Sequence, residues 1–381
     1  MAQHPNAALA DIVDELRKGG SWITVYTDAS MDTSDPRGVA LARRRSVLDR
    51  LRAVGVSAEQ LSLIEDAIEG TDGVPGPISR YVLLRDGRIV CNLVTPGAPN
   101  GPELAEAGPI PQLLPLLTAR PDEIVYLVVE ASRDGGDVSL YRSSQVAPEV
   151  TEQTQGRTDA IKKFQGGGWA HLRFQHHTEE IWKQNETELA AVVDRLVQEH
   201  RPRLVILSGD VRARQLLIDR LASATRELVA ELNANTRPEG ASEETLQTFV
   251  DEQLDRVARE DRDAELDRLR QELGRDGGAA EHGVGSLVHA VRQAQVEVLF
   301  LDPAALAERT LLALDAEPWV AAAPEEATPA GILGTVPAAE ALIRAAVLTD
   351  ASVRLVPGPL LPDSSGVAGL LRWSSAAAIG G

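Results

Sequence analysis

The chain has 381 residues, 43% of them hydrophobic and 25% charged, with a formal net charge of −19; at roughly 100–200 residues per domain, we expect three domains. No stretch approaches the roughly 20 uninterrupted apolar residues of a membrane span, and the single cysteine, Cys91, excludes disulfides within the chain and cysteine-bound zinc. The strong negative charge excludes a general nucleic-acid binder, because non-specific affinity comes from cations that neutralise phosphates, so any RNA contact has to be local.

The opening Met-Ala-Gln-His-Pro-Asn lacks the basic and apolar regions of a signal peptide, so a cytoplasmic protein with no membrane or DNA partner is expected. The first segment reads as a helix over Ala8–Lys18, a strand over Ser21–Tyr26, helices over Pro36–Ala53 and Ala58–Ile68, and strands around Ser79–Leu84 and Arg88–Val94. The last of these places Cys91 in a buried strand. Five prolines and glycines between Pro96 and Pro102 then mark a break. Helices interleaved with strands imply an α/β domain over about 1–120.

A middle domain, 121–256, opens with the strand Glu123–Glu130 and a hairpin partner, Asp137–Arg142. After an irregular loop, Leu189, Val192, Val193, Leu196 and Val197 recur at helical spacing within Glu179–His200. A buried strand, Arg203–Ser208, follows, and Gly209-Asp210 opens a helix, Val211–Ala222, with a plain helix cap preferred there over a phosphate site. A long charged helix, Ser242–Leu273, leads into the third domain, 257–381. There the pattern predicts a helix Val284–Gln295, a strand Val296–Leu301, a proline-punctuated connection, a helix Pro337–Leu348, a strand Ser352–Val356 and a helix Val367–Trp373.

The chemistry concentrates in residues 157–178. With Arg157, Lys162, Lys163 and Arg173 against Asp159, this loop carries +3, the most basic island outside the helix that holds Arg43, Arg44 and Arg45. Gly166, Gly167 and Gly168 allow a backbone to approach another molecule without a Cβ in the way. Phe164, Trp169, Phe174 and Trp182 supply faces that stack on bases for roughly 1–3 kcal/mol each. Four cations on single-stranded RNA give a salt slope of at most about −3, so other surfaces have to share the binding. An idle surface loop is the competing reading. His171, His176 and His177 match no established metal-ligand spacing, so no metal or cofactor is expected. A histidine general base, in a peptidyl-tRNA hydrolase or a ribonuclease, is the enzymatic alternative.

In this loop, Gly167-Gly168-Trp169-Ala170-His171-Leu172-Arg173-Phe174 resembles the Gly-Gly-Gln-Ser-x-x-Arg-Phe motif of the class-1 release factors of archaea and eukaryotes and their relative Pelota. It is most similar to a divergent bacterial branch that includes a ribosome hibernation factor. The stretch from His282 to Val291, with Val296–Phe300 after it, is similar to the helix and strand that open the family's third domain, an α/β fold of the ribosomal-protein L7Ae type. The resemblance implies a three-domain, layered α/β architecture of the release-factor/Pelota kind. It also implies a ribosome-binding translation factor that meets rRNA at the A site and peptidyl-transferase centre of the 70S ribosome, with elongation factor Tu as a possible partner. RNA contacts are then expected at Arg157, Lys162, Lys163, Gly166, Gly167, Gly168, Trp169, His171 and Arg173.

Two departures shape the expected function. Trp169 stands where the family's glutamine positions the hydrolytic water, and Lys18 is the only lysine before position 162, so the Asn-Ile-Lys-Ser codon reader is absent. The expectation is therefore a factor that occupies idle or stalled ribosomes, for hibernation or rescue, and is not an enzyme.

Overall fold

The computed structural model describes residues 9, 12–31, 35–69, 77–119, 123–132, 135–143, 145, 147–155, 169–232 and 243–374. The chain divides into two compact units, one made of Met1–Asp122 with Asp261–Gly381 and the other of Glu123–Glu260. Both are α/β, as the alternation of helix and strand patterns predicts.

The first unit begins with α1 (Val13–Leu16), β1 (Trp22–Asp28), α2 (Pro36–Ala53) and α3 (Ala58–Ile68), followed by β2 (Ile78–Arg85), β3 (Arg88–Pro96), β4 (Leu104–Gly108) and α4 (Leu114–Ala119). α2 starts where expected because Pro36 occupies its first turn and the Asp35 carboxylate accepts from the Gly38 N–H. α3 starts at a capping box in which Ser57 and Gln60 exchange side-chain and backbone bonds. The strands form an antiparallel sheet in the order β3-β2-β1-β4. Strand periodicity sends Ile23, Val25, Val82 and Leu84 to the face covered by α2 and α3, and Trp22, Tyr26, Tyr81 and Leu83 to the opposite face. The proline-rich break after β3 does not end this sheet, because β4 returns to pair with β1. Cys91 lies in β3 as a free thiol, only partly buried.

The second unit holds β5 (Val125–Ser132), β6 (Gly135–Arg142), β7 (Val150–Gln155), α5 (Trp169–His200), β8 (Leu204–Gly209), α6 (Val211–Ile218), α7 (Ser223–Arg226) and β9 (Val229–Glu231). It also holds the beginning of α8 (Glu243–Leu273), up to Glu260. Its sheet runs β7-β6-β5-β8-β9, antiparallel from β7 to β5 and parallel from β5 to β9. One face, with Leu127, Val129, Val138 and Val205, packs on Leu189, Val193 and Leu196 of α5 and on Ala213 and Leu217 of α6. The other face, with Tyr126, Val128 and Ile206, packs on Leu246, Phe249 and Val250 of α8. One expectation is corrected here, and one element was not expected. The helix after Asp210 stops at Ile218 and a separate short α7 follows; β9 then adds a strand that three residues of sequence do not betray.

The rest of the first unit contains the end of α8, from Asp261, then β10 (Ala280–His282), α9 (Val284–Arg292), β11 (Val296–Leu301), β12 (Thr310–Leu314), β13 (Val320–Ala321) and β14 (Ile332–Pro337). After these come α10 (Ala338–Leu348), β15 (Ser352–Leu355) and β16 (Val367–Leu371). The expected helix over Val367–Trp373 is instead β16, a central strand between β10 and β11 with all five residues buried. A five-residue apolar run carries no period that separates strand from helix. The expected proline-punctuated connection folds as a small antiparallel sheet, β13-β12-β14, built from strands of two to six residues. Every residue of α10 is buried, and its Leu342 and Ile343 share one core with Leu9, Leu16, Trp22, Tyr81 and Leu116 of the opening segment.

Candidate functional site

β7 is an edge strand, and the chain leaves it at Gln155 to enter α5 at Trp169. Of the expected RNA contacts, Arg157, Lys162, Lys163, Gly166, Gly167 and Gly168 lie outside the described residues. Trp169, His171 and Arg173 fall in the first two turns of α5. This corrects the irregular loop expected up to Thr178, since helix begins at Trp169. Its cause is legible afterwards: no glycine or proline occurs between Trp169 and His200, and either residue is the ordinary way to interrupt such a run.

α5 is held at its C-terminal half. Leu189, Ala190, Val193 and Leu196 are buried against the sheet, and Arg195 ties the helix to the edge strand through Glu152 at 2.5 Å. A Cβ at Gly136 would come within 2.6 Å of Leu189, so glycine is what lets α5 approach β6 so closely. With a rise of about 1.5 Å per residue, Trp169 stands about 24 Å along the axis from Asn185. The first turn of α5 contains no acidic residue, so nothing in it offsets the positive end of the helix dipole.

A second polar feature lies where α5 meets the sheet. Asn185 and Glu186 are buried at the register that Leu189 and Val193 continue. Among the described residues neither Glu186 carboxylate oxygen has a hydrogen-bond partner. Burial raises its carboxyl to about 8, against the pull of Arg220 and with a smaller upward push from Asp210. Nearby, the Asp210 side chain accepts from the N–H groups of Arg212 and Ala213, so it serves as the cap of α6 that was preferred from sequence. Gly209 before it has φ +112, and a Cβ there would lie 1.9 Å from the Ala131 carbonyl oxygen. Sequence reasoning passed over Glu186; the available signal was a polar pair in the core-facing register of an amphipathic helix. Among the described residues no group of three or more His, Cys, Asp or Glu side chains is placed to hold a metal ion. No helix among them is long and apolar enough to cross a membrane.

The second unit thus combines a five-stranded mixed sheet with a 32-residue helix packed on one face. Residues 125–275 match the model of the bacterial archaeo-eukaryotic release factor family 2. The matched stretch runs from the first residue of β5 to just beyond α8. The chain is similar over 368 residues, at 26% identity, to the uncharacterized protein Rv2629 of Mycobacterium tuberculosis strain H37Rv, covering 95% of this chain and 96% of that one. Among solved structures, Pelota of Archaeoglobus fulgidus is 14% identical, covering 78% of this chain and 80% of its own, with a TM-score of 0.36. Dom34 of S. cerevisiae is 12% identical over the same shares, with a TM-score of 0.38.

Proposed function

We propose that this chain is a ribosome-binding translation factor that occupies the A site of idle or stalled ribosomes, in hibernation or rescue, without hydrolysing peptidyl-tRNA. The observation that carries this reading is the match of residues 125–275 to a release-factor family, within which Gly167-Gly168-Trp169 resembles the family's Gly-Gly-Gln with tryptophan in place of glutamine. The geometry of α5 supports it. A glycine segment suited to a crowded RNA site leads directly into the dipole-positive end of a helix whose first turn carries no acidic residue. Arg157, Lys162, Lys163 and Arg173 then hold phosphates, Gly166, Gly167 and Gly168 allow close approach, and Trp169 and His171 stack on bases.

Tryptophan has no acceptor and only one donor, so it cannot hold a water for attack as an amide can. The same body therefore occupies the site without cleaving. The resemblance of the loop to a bacterial branch that includes a ribosome hibernation factor extends the proposal to elongation factor Tu, with the segment 257–381 as its contact.

Purified protein is expected to pellet with 70S ribosomes through a sucrose cushion, and deletion of Gln165–Ala170 to reduce the bound fraction at least about tenfold, given loss of the stacking side chain and of the loop's reach. Absence of ribosome association, in stressed as in growing cells, would sink the proposal. Release of peptide from a loaded ribosome, or RNA cleavage abolished by His171→Ala, would overturn its non-catalytic part.

A further inference from the structure

The second basic island of the sequence lies on α2, which carries six arginines (Arg37, Arg43, Arg44, Arg45, Arg50 and Arg52) against one acid, Asp49, in a chain of net charge −19. Only the C-terminal half of the helix holds fully buried residues. Its buried residues are Val47, Leu48 and Leu51, whereas nothing from Pro36 to Ser46 is buried. Arg43 and Arg44 are engaged within the domain, Arg43 with Asp28 and Arg44 with Glu65 and Glu69. The other four are exposed. Among the described residues Arg37 and Arg45 have no hydrogen-bond or ion-pair partner, Arg50 donates only to the Glu103 carbonyl, and Arg52 pairs only with Asp49 one turn away.

We propose that this exposed face of α2 is a docking surface for the phosphate backbone of RNA, separate from the glycine loop. Arg37, Leu41, Arg45, Asp49 and Arg52 recur every three or four residues and so line one stripe, about 22 Å from end to end. A cation at the two ends and the middle of such a stripe suits a partner whose charge is strung out in a line. Leu41 is the one large apolar side chain exposed within the helix. The stripe therefore lacks the buried aromatic and aliphatic anchors on which a protein partner's binding energy concentrates. Guanidinium forks bind phosphate oxygens in pairs and need no apolar contact to do so. The contact reads no sequence and adds the cations that four loop charges cannot supply alone. It does not depend on the ribosomal reading.

The test uses the full-length protein and a fluorescein-labelled RNA hairpin, titrated by anisotropy at several salt concentrations. The variant R37A/R45A/R52A leaves the buried residues of α2 untouched, and circular dichroism verifies that it folds. Its affinity is expected to fall by about tenfold or more and its log–log salt slope to flatten by about 2. R37E/R45E/R52E is expected to lose more. Equal affinity and slope for wild type and variants overturns the inference. So does displacement of the hairpin by poly-glutamate as readily as by unlabelled RNA, which indicates an acidic protein partner, or a wild-type dimer that the variant dissociates, which indicates a second copy. Wild type that binds the hairpin through α2 but does not pellet with ribosomes upholds this inference while sinking the proposed function.

Discussion

Glu186 is the residue whose chemistry departs furthest from what its place in the chain suggests. Fully buried with both oxygens unpartnered among the described residues, its carboxyl is raised from 4.5 to about 8, first by loss of solvation. A carboxyl that holds its proton more tightly in the folded state contributes stability that is complete below about 4.5 and is lost as pH rises through about 8. Glu186→Gln keeps the shape and removes the titration. Its melting temperature is therefore expected to match wild type near pH 4 and to exceed it by several degrees at pH 8, corresponding to a few kcal/mol at most. A difference between the two proteins that does not change with pH would show that Glu186 is ionised in the fold. The expected RNA contacts rest on residue type in the basic, glycine-rich loop, a segment whose composition is unlike the rest of the chain, and on its resemblance to the release-factor motif. A single buried acid leaves no such mark, because its meaning depends on which elements close over it.

Helix α10 shows what one element contributes. Leu113 and Leu114, at the start of α4, donate their backbone N–H groups to the Glu340 carboxylate at 2.6 and 3.2 Å. One turn later on α10, Arg344 donates to the Leu16 carbonyl at the end of α1 and, at 3.0 Å, to the Leu314 carbonyl, with its guanidinium 5.5 Å from the centre of the Trp319 ring. An acid and a base four residues apart thus satisfy the unpaired start of one helix and the unpaired end of another. Burial raises the Glu340 carboxyl to about 7 and lowers Arg344 to about 10. Glu340→Ala strands two buried donors, and we expect a loss of about 2 kcal/mol in urea unfolding near pH 8, above the raised titration of the carboxyl, with Glu340→Gln intermediate because its amide retains one acceptor. Equal stability of the alanine variant and wild type would mean that water replaces the carboxylate. The bounds of α2 and α3 were legible because their caps are local; β16 was not, because its neighbours β10 and β11 are far away in the chain.

At the scale of the molecule, the opening and closing segments share a core. Leu9, Leu16, Trp22, Tyr26, Tyr81 and Leu116 pack in one cluster with Leu299, Val336, Leu342 and Val347. Residues 1–122 alone would expose that face, a large apolar patch of the kind that isolated domains avoid. Expressed alone, this fragment is expected to bind a hydrophobic dye and to melt without a cooperative transition, and co-expression with 261–381 to restore both properties. A fragment that melts cooperatively by itself, without dye binding, would refute the shared core. The sequence pattern carries no trace of this arrangement, since an apolar face reads the same whichever segment covers it.

By itself the sequence determined the α/β class, the local starts of α2, α3 and α6, and the two basic islands, because period, caps and charge act over a few residues. Only the tertiary structure decided that Val367–Leu371 is a central strand and that Glu186, Glu340 and Arg344 are buried ionisable groups. Each of these depends on contacts between residues far apart in the chain, and on the desolvation those contacts impose, which no local pattern records.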